Sequence, residues 1–110
     1  MNIKDWYERA KKEGYYGVGK GWSEILNDLC DKLIAIDDSI EVLQVKEKYG
    51  LLRYYIGGVE SGKFDKIHRL IDKAENESSK TCEECGSKDN VETKGGWLLT
   101  LCDKCRKNRK

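Results

Sequence analysis

Two cysteine pairs constrain this chain more than any other feature. Cys82-Glu83-Glu84-Cys85 and Cys102-Asp103-Lys104-Cys105 form C-x2-C…C-x2-C, with sixteen residues between the pairs. Two residues between thiols let one tight turn aim both sulfurs at a single ion, and Gly86 relieves the turn behind the first pair. Two such turns complete a tetrahedral all-sulfur site with bonds of about 2.3 Å, the geometry of structural Zn²⁺. A catalytic zinc keeps a position open for water, whereas four thiolates close the shell, so the metal expected here is structural. An iron–sulfur centre is the weaker alternative, because nothing else in the tail points to one. Between the pairs, Val91-Glu92-Thr93 and Trp97-Leu98-Leu99-Thr100-Leu101 flank Gly95-Gly96, which suits the hairpin of a zinc ribbon. Residues 79–110 hold too few apolar side chains to fold unaided, so metal binding should supply much of their folding free energy.

The rest of the chain must build a core from modest means. Of 110 residues, 38% are hydrophobic and 37% charged, which excludes a large buried core and calls for a supplement. The metal is one supplement, and a second copy of the chain in a homo-oligomer would be another. The net charge of +1 argues against a generic polybasic nucleic-acid binder. No apolar run approaches ~18 residues, so no membrane partner is expected. The opening MNIKDWYERAKKEG lacks the apolar stretch of a secretory leader. The expected setting is a reducing cytoplasm, where five cysteines serve metal binding rather than disulfides.

Proline is absent, so glycine clusters punctuate the chain. Ile3, Trp6, Tyr7 and Ala10 recur at helical spacing between Asn2, a candidate N-cap, and Gly14, a stop. After the glycine-rich stretch at 15–21, Trp22, Ile25, Leu26, Leu29, Leu33 and Ile36 define a second helix over 23–36, with Ser23 at the N-cap position. Residues 40–48 and 51–56 read as a β-hairpin about Tyr49-Gly50. Ile40 and Val42 alternate in one phase and Leu43 and Val45 in the other, which predicts a bulge or register change near Val42. Phe64, Ile67, Leu70, Ile71 and Ala74 predict a third helix over about 61–77. The polar ENESSK at 75–80 reads as a helix end and short linker. The fold class is therefore α+β: a small helix-plus-β-hairpin body at 1–78, ordered ααββα, followed by a C-terminal four-cysteine zinc ribbon with a basic tail at 79–110.

No constellation of catalytic residues emerges, and the chain is not read as an enzyme. His68, the single histidine, has no serine, cysteine or acid at catalytic spacing and reads as a surface residue. Glu41, Glu47 and Glu60 are scattered about the hairpin and form no carboxylate pair. Cys30 lies near the apolar face of the second helix and reads as a small buried hydrophobe. Two features suggest ligand binding instead. Gly17-Val18-Gly19-Lys20-Gly21-Trp22-Ser23 is a glycine loop opening a helix, where backbone N–H groups and the helix dipole favour an anion and Lys20 adds a charge. It lacks the G-x-x-x-x-G-K-[ST] spacing of a Walker loop, and its bland alternative is a connector between helices. In the hairpin, Lys46, Lys48, Arg53 and Tyr55 share the face opposite Leu52, Tyr54 and Ile56, and cations interleaved with aromatics can pair phosphates and stack bases. With Tyr16 and Gly19, these residues and Lys20 are the candidate ligand-binding set. The tail CDKCRKNRK carries five cations and one acid, and either contacts phosphates or is simply solvated.

The motifs GWSEILNDLCDKL, QVKEKYGLLRYY, AENESSKTCEECG and GGWLLTLCDKC, in that order over about residues 21–105, resemble a family of small zinc-ribbon proteins of tailed phages, prophages and some bacteria. The resemblance carries no catalytic residue over. It implies a small accessory protein working in the cytoplasm of a bacterial host cell, where phage proteins of this size often act by binding, including as inhibitors of host defence. Three functions follow as expectations. The first is a counter-defence protein sequestering a phosphate-bearing small ligand such as a nucleotide signal. The second is a nucleic-acid-binding accessory protein using the ribbon and tail. The third is an inhibitor of a host protein, anchored by Tyr15, Tyr16 and Trp97.

Overall fold

The computed structural model describes residues 1–59, 61–95 and 98–108. Glu60, Trp97 and the tail residues Arg109 and Lys110, all singled out in the sequence, lie outside the described residues, as does Gly96 of the expected ribbon turn.

Helix α1 (Ile3–Glu13) starts and stops where its local chemistry dictates. The Asn2 side chain accepts the Lys4 N–H, and Gly14 closes the helix with its N–H on Ala10 O. Ile3, Tyr7 and Ala10 supply the buried stripe. A 3₁₀ turn (Lys20–Trp22) runs directly into α2 (Ser23–Ile36), so Ser23 is the first helical residue rather than the cap, and no side chain caps this end. Ile25, Leu26, Leu29, Cys30 and Leu33 face inward along α2.

Strands β1 (Glu41–Lys48) and β2 (Leu51–Gly57) form the antiparallel hairpin, with Lys46 opposite Arg53 and Val45 opposite Tyr54. The phase conflict in the sequence is resolved by an irregularity between Val42 and Gln44, where Leu43 is pushed outward and Val42 and Val45 both turn toward the core. Tyr49 (φ 55°) and Gly50 (φ 82°) make the turn, both left-handed as a two-residue hairpin with the right twist requires. The Glu47 carboxylate accepts the Gly50 N–H and steadies it.

A second 3₁₀ turn (Ser61–Lys63) leads into α3 (Phe64–Ser78), which packs on α2 and along β2 and buries Ile67, Ile71, Ala74 and Ser78. The ENESSK stretch is therefore helical over its first four residues, Glu75 to Ser78. Ser78 Oγ accepts the Leu52 N–H, and Glu75 Oε2 accepts the Tyr54 N–H, so α3 side chains satisfy the outer edge of β2. The edge of β1 is covered from the other direction. Val42 N–H donates to Met1 O, and Glu47 N–H donates to Gly17 O. One core gathers Ile3, Trp22, Leu26, Leu33, Ile40, Leu52 and Ile67 beneath the hairpin.

The C-terminal part is a second two-stranded sheet, β3 (Val91–Lys94) with β4 (Leu99–Cys102), followed by α4 (Asp103–Asn108), a turn and a half of helix that the sequence reading missed. Its apolar cluster is small, Cys82, Leu101 and Cys102 with Val91 and Leu99 at the margin. Among the described residues no helix is long and apolar enough to cross a membrane. The α+β class and the order of elements agree with the sequence expectation.

Candidate metal centre

The four cysteine sulfurs of Cys82, Cys85, Cys102 and Cys105 all lie within 4.8 Å of one another. Cys85 Sγ and Cys102 Sγ are 3.7 Å apart, close to the ~3.8 Å expected between sulfurs at tetrahedral corners with bonds of about 2.3 Å. The first knuckle is shaped by Gly86 N–H on Cys82 O at 2.9 Å and Cys82 N–H on Ser87 O at 2.8 Å. The second spans the end of β4 and the first turn of α4, where Cys105 N–H points at Cys102 Sγ, 3.5 Å away. Burial opposes ionisation of Cys82, but backbone groups of Cys102, Cys85 and Glu84 outweigh it and bring the thiol down to about 7. Cys105 is held above the ordinary thiol range, chiefly by hydrogen bonding to Cys102. Four thiolates this close repel one another, and a cation among them is what would let all four ionise. The set can hold a metal ion, and it contains sulfur donors alone.

The surroundings of this cluster redefine the glycine loop. Gly21 N–H donates to Glu83 O at 2.9 Å, and Trp22 Nε1 donates to Thr81 O at 2.9 Å. A Cβ on Gly19 would lie 2.0 Å from Glu83 O, and one on Gly21 would lie 2.1 Å from Cys82 O. The glycines are there because the first knuckle packs directly on the loop backbone. At the helix start the amides of the expected anion cradle are engaged: Gly21 N–H is on Glu83 O, Trp22 N–H on Gly19 O and Ser23 N–H on Lys20 O. Gly19 and Lys20 line an open cleft of about 840 Å³ with Glu83, Glu84 and the exposed Cys85, so Lys20 sits beside the metal centre rather than beside the hairpin cations.

The hairpin turn docks on the same module. Thr100 Oγ1 donates to Gly50 O, Thr93 and Thr100 hydroxyls meet at 2.6 Å, and Glu83 Oε2 accepts the Thr100 N–H at 3.2 Å. Glu83 and Thr100 are buried polar residues that no spacing rule singled out. Arg106 was another surprise. Its guanidinium donates to the carbonyls of Glu92, Lys94 and Leu99, which ties α4 to the ribbon hairpin. Sequence placed it in a basic tail that either binds phosphate or is solvated; it is a structural clamp.

The other candidates separate into two groups. Lys46, Lys48, Arg53 and Tyr55 do share the outer face of the hairpin. Lys46 Nζ stands 5.8 Å over the Tyr55 ring and Lys48 Nζ 5.8 Å over Tyr49. Arg53 leans on Glu75, 3.7 Å away, which tempers its charge. Leu52 and Tyr54 are buried on the opposite face, as strand alternation predicts. Tyr16 lies elsewhere, 66% exposed beside α1 with the Arg9 guanidinium 5.9 Å from its ring. Tyr15 is half-buried, its hydroxyl on Asn27 Oδ1 at 2.5 Å, which leaves little of it as a surface anchor. Cys30 is fully buried against the Tyr54 hydroxyl at 3.4 Å, and burial pushes its thiol up to about 12. His68 is exposed and stacks on Phe64.

No family model, curated protein or solved structure matches the chain. The functional reading therefore rests on the site itself.

Proposed function

We propose that this chain is a non-catalytic zinc protein that binds a single-stranded nucleic acid on the outer face of the β1–β2 hairpin. Zinc is favoured by an all-sulfur donor set in two C-x2-C knuckles. Its role is structural, since four thiolates leave no position for water or substrate. The observation that carries the binding reading is Lys46 directly opposite Arg53, beside the 42%-exposed ring of Tyr55. Phosphates would pair with the cations while bases stack on Tyr55 and Tyr49. The face spreads its groups along two strands, and the amides of Gly21, Trp22 and Ser23 at the helix start are already bonded. Both facts favour an extended strand over an enclosed mononucleotide, the leading expectation from sequence. The net charge is only +1, but Lys46, Lys48 and Arg53 share this face of the hairpin. In the phage setting that the resemblance implies, such a protein would serve as an intracellular accessory or counter-defence factor.

Fluorescence anisotropy with a labelled single-stranded oligonucleotide, titrated between about 50 and 200 mM salt, tests this. Affinity should fall steeply with salt, and Lys46→Ala and Lys48→Ala should each flatten the log–log slope by about 0.7. Absence of binding at low salt, or variants that match the parent, would refute the reading.

A further inference from the structure

A recess of about 190 Å³ opens between α1, the loop after it and β1, lined by Trp6, Arg9, Tyr15, Tyr16, Val45 and Gly14. Its walls are aromatic. Trp6 and Tyr15 meet at 5.3 Å with their rings tilted 46° apart, and Trp6 also meets Tyr54 edge-on at 5.8 Å. Tyr16 stands at the mouth, two-thirds exposed, with the Arg9 guanidinium over its ring. Aromatic walls suit two kinds of guest, a cation or a flat π-system. Arg9 decides between them: a guanidinium in the wall repels a cationic guest and favours one that carries a phosphate.

The position of the recess links it to the hairpin face. The next residue along the chain, Gly17, is pinned on β1 by the Glu47 N–H to Gly17 O bond. A Cβ there would lie 3.5 Å from Lys46 Cα. Gly17 thus joins the recess residue Tyr16 to the edge of β1 that carries Lys46, and Val45, next to Lys46 on that strand, lines the recess.

We infer that this recess takes one unstacked nucleobase of the bound strand, held against Tyr16 and Trp6 with its phosphate toward Arg9. The inference rests on the single-strand reading above and adds a base-binding site to it. Because every base has a π-face, the site would accept a base without strong sequence preference.

The test compares two labelled strands of equal length and charge, one an ordinary single-stranded oligonucleotide of about 12 nucleotides and one a base-free deoxyribose-phosphate oligomer. Tyr16→Ala should weaken the ordinary strand about tenfold, leave the base-free strand unchanged, and be rescued by Tyr16→Phe. Tyr16 is largely exposed, so the variant should fold, and circular dichroism with metal content checks it. If the parent binds and Lys46→Ala weakens it while Tyr16→Ala does not, the recess is overturned and the hairpin face stands. Equal weakening of both strands by Tyr16→Ala also overturns it. If the parent binds neither strand, both readings fall.

Discussion

Gly19 and Gly21 are the residues at which the body of the molecule touches the backbone of the first cysteine knuckle. Gly19 has an ordinary extended backbone (φ −73°, ψ 151°), so conformational freedom does not explain it; proximity does. A methyl group at Gly21 would sit 2.1 Å from Cys82 O and 2.7 Å from Glu83 C, and backbone cannot yield as a flexible side chain would. Gly21→Ala should therefore destabilise the fold by about 3 kcal/mol. Gly62→Ala, where nothing lies within 4 Å, should stay within about 0.5 kcal/mol of the parent. Urea denaturation of both variants in zinc-buffered solution reads this directly, and a Gly21→Ala protein as stable as the parent would contradict the docking. The lesson at this scale is that a sequence displays what lies along the chain, not what lies across it. The loop was legible as a loop, but the carbonyls of Cys82 and Glu83 that demand its glycines come from the far end of the chain. Arg106 misled for the same reason, since its three carbonyl acceptors lie on the ribbon strands and on no local pattern.

Elements whose ends are set by local chemistry were the legible ones. The Asn2 and Gly14 caps fixed α1, the inward stripe fixed α2 and α3, and Tyr49-Gly50 fixed the hairpin. The bulge at Leu43 could be anticipated because two apolar phases on one strand cannot both face a single core. What could not be read was how the strand edges are satisfied. Ser78 looked like linker, yet its hydroxyl donates to Glu75 O at 2.5 Å and accepts the Leu52 N–H at 3.0 Å. It thus joins the last turn of α3 to the middle of the sheet, where its side chain is fully buried. Ser78→Ala leaves the Leu52 amide buried without an acceptor, a loss of about 1–3 kcal/mol. Ser79→Ala, one residue on, loses only the exposed bond to Asn76 O and should cost a few tenths at most. Equilibrium denaturation ranks the pair, and hydrogen exchange at the Leu52 amide should quicken in the first variant alone. Equal stability of the two would mean that α3 does not cap β2 through this hydroxyl.

At the scale of the whole molecule, the cysteine module and the helical body depend on one another. Among the described residues the module's own apolar cluster is too small to hold two strands and a short helix, so the proposed zinc must supply the difference. The body in turn leans on the module at two places: the adjacent Gly21 N–H on Glu83 O and Trp22 Nε1 on Thr81 O, and Gly50 O beneath the Thr100 hydroxyl. They tie the module to the start of α2 and to the hairpin turn. Metal loss should therefore be felt well beyond residues 79–110. On chelation, or in Cys82→Ser, the protein should lose one equivalent of zinc. The amide resonances of the ribbon should collapse to random-coil positions. The Trp22 indole and Gly50 carbonyl resonances should shift with them, because the Thr81 acceptor and the Thr100 donor are displaced. Affinity for a single strand should also drop, since Lys48 and Tyr49 flank the turn that Thr100 steadies. Nuclear magnetic resonance of the zinc-loaded and chelated protein separates the possibilities. If the ribbon unfolds while Trp22, Gly50 and strand affinity stay as they were, the two parts are merely neighbours on one chain. If they move together, the metal is the keystone of the binding face as well as of the ribbon.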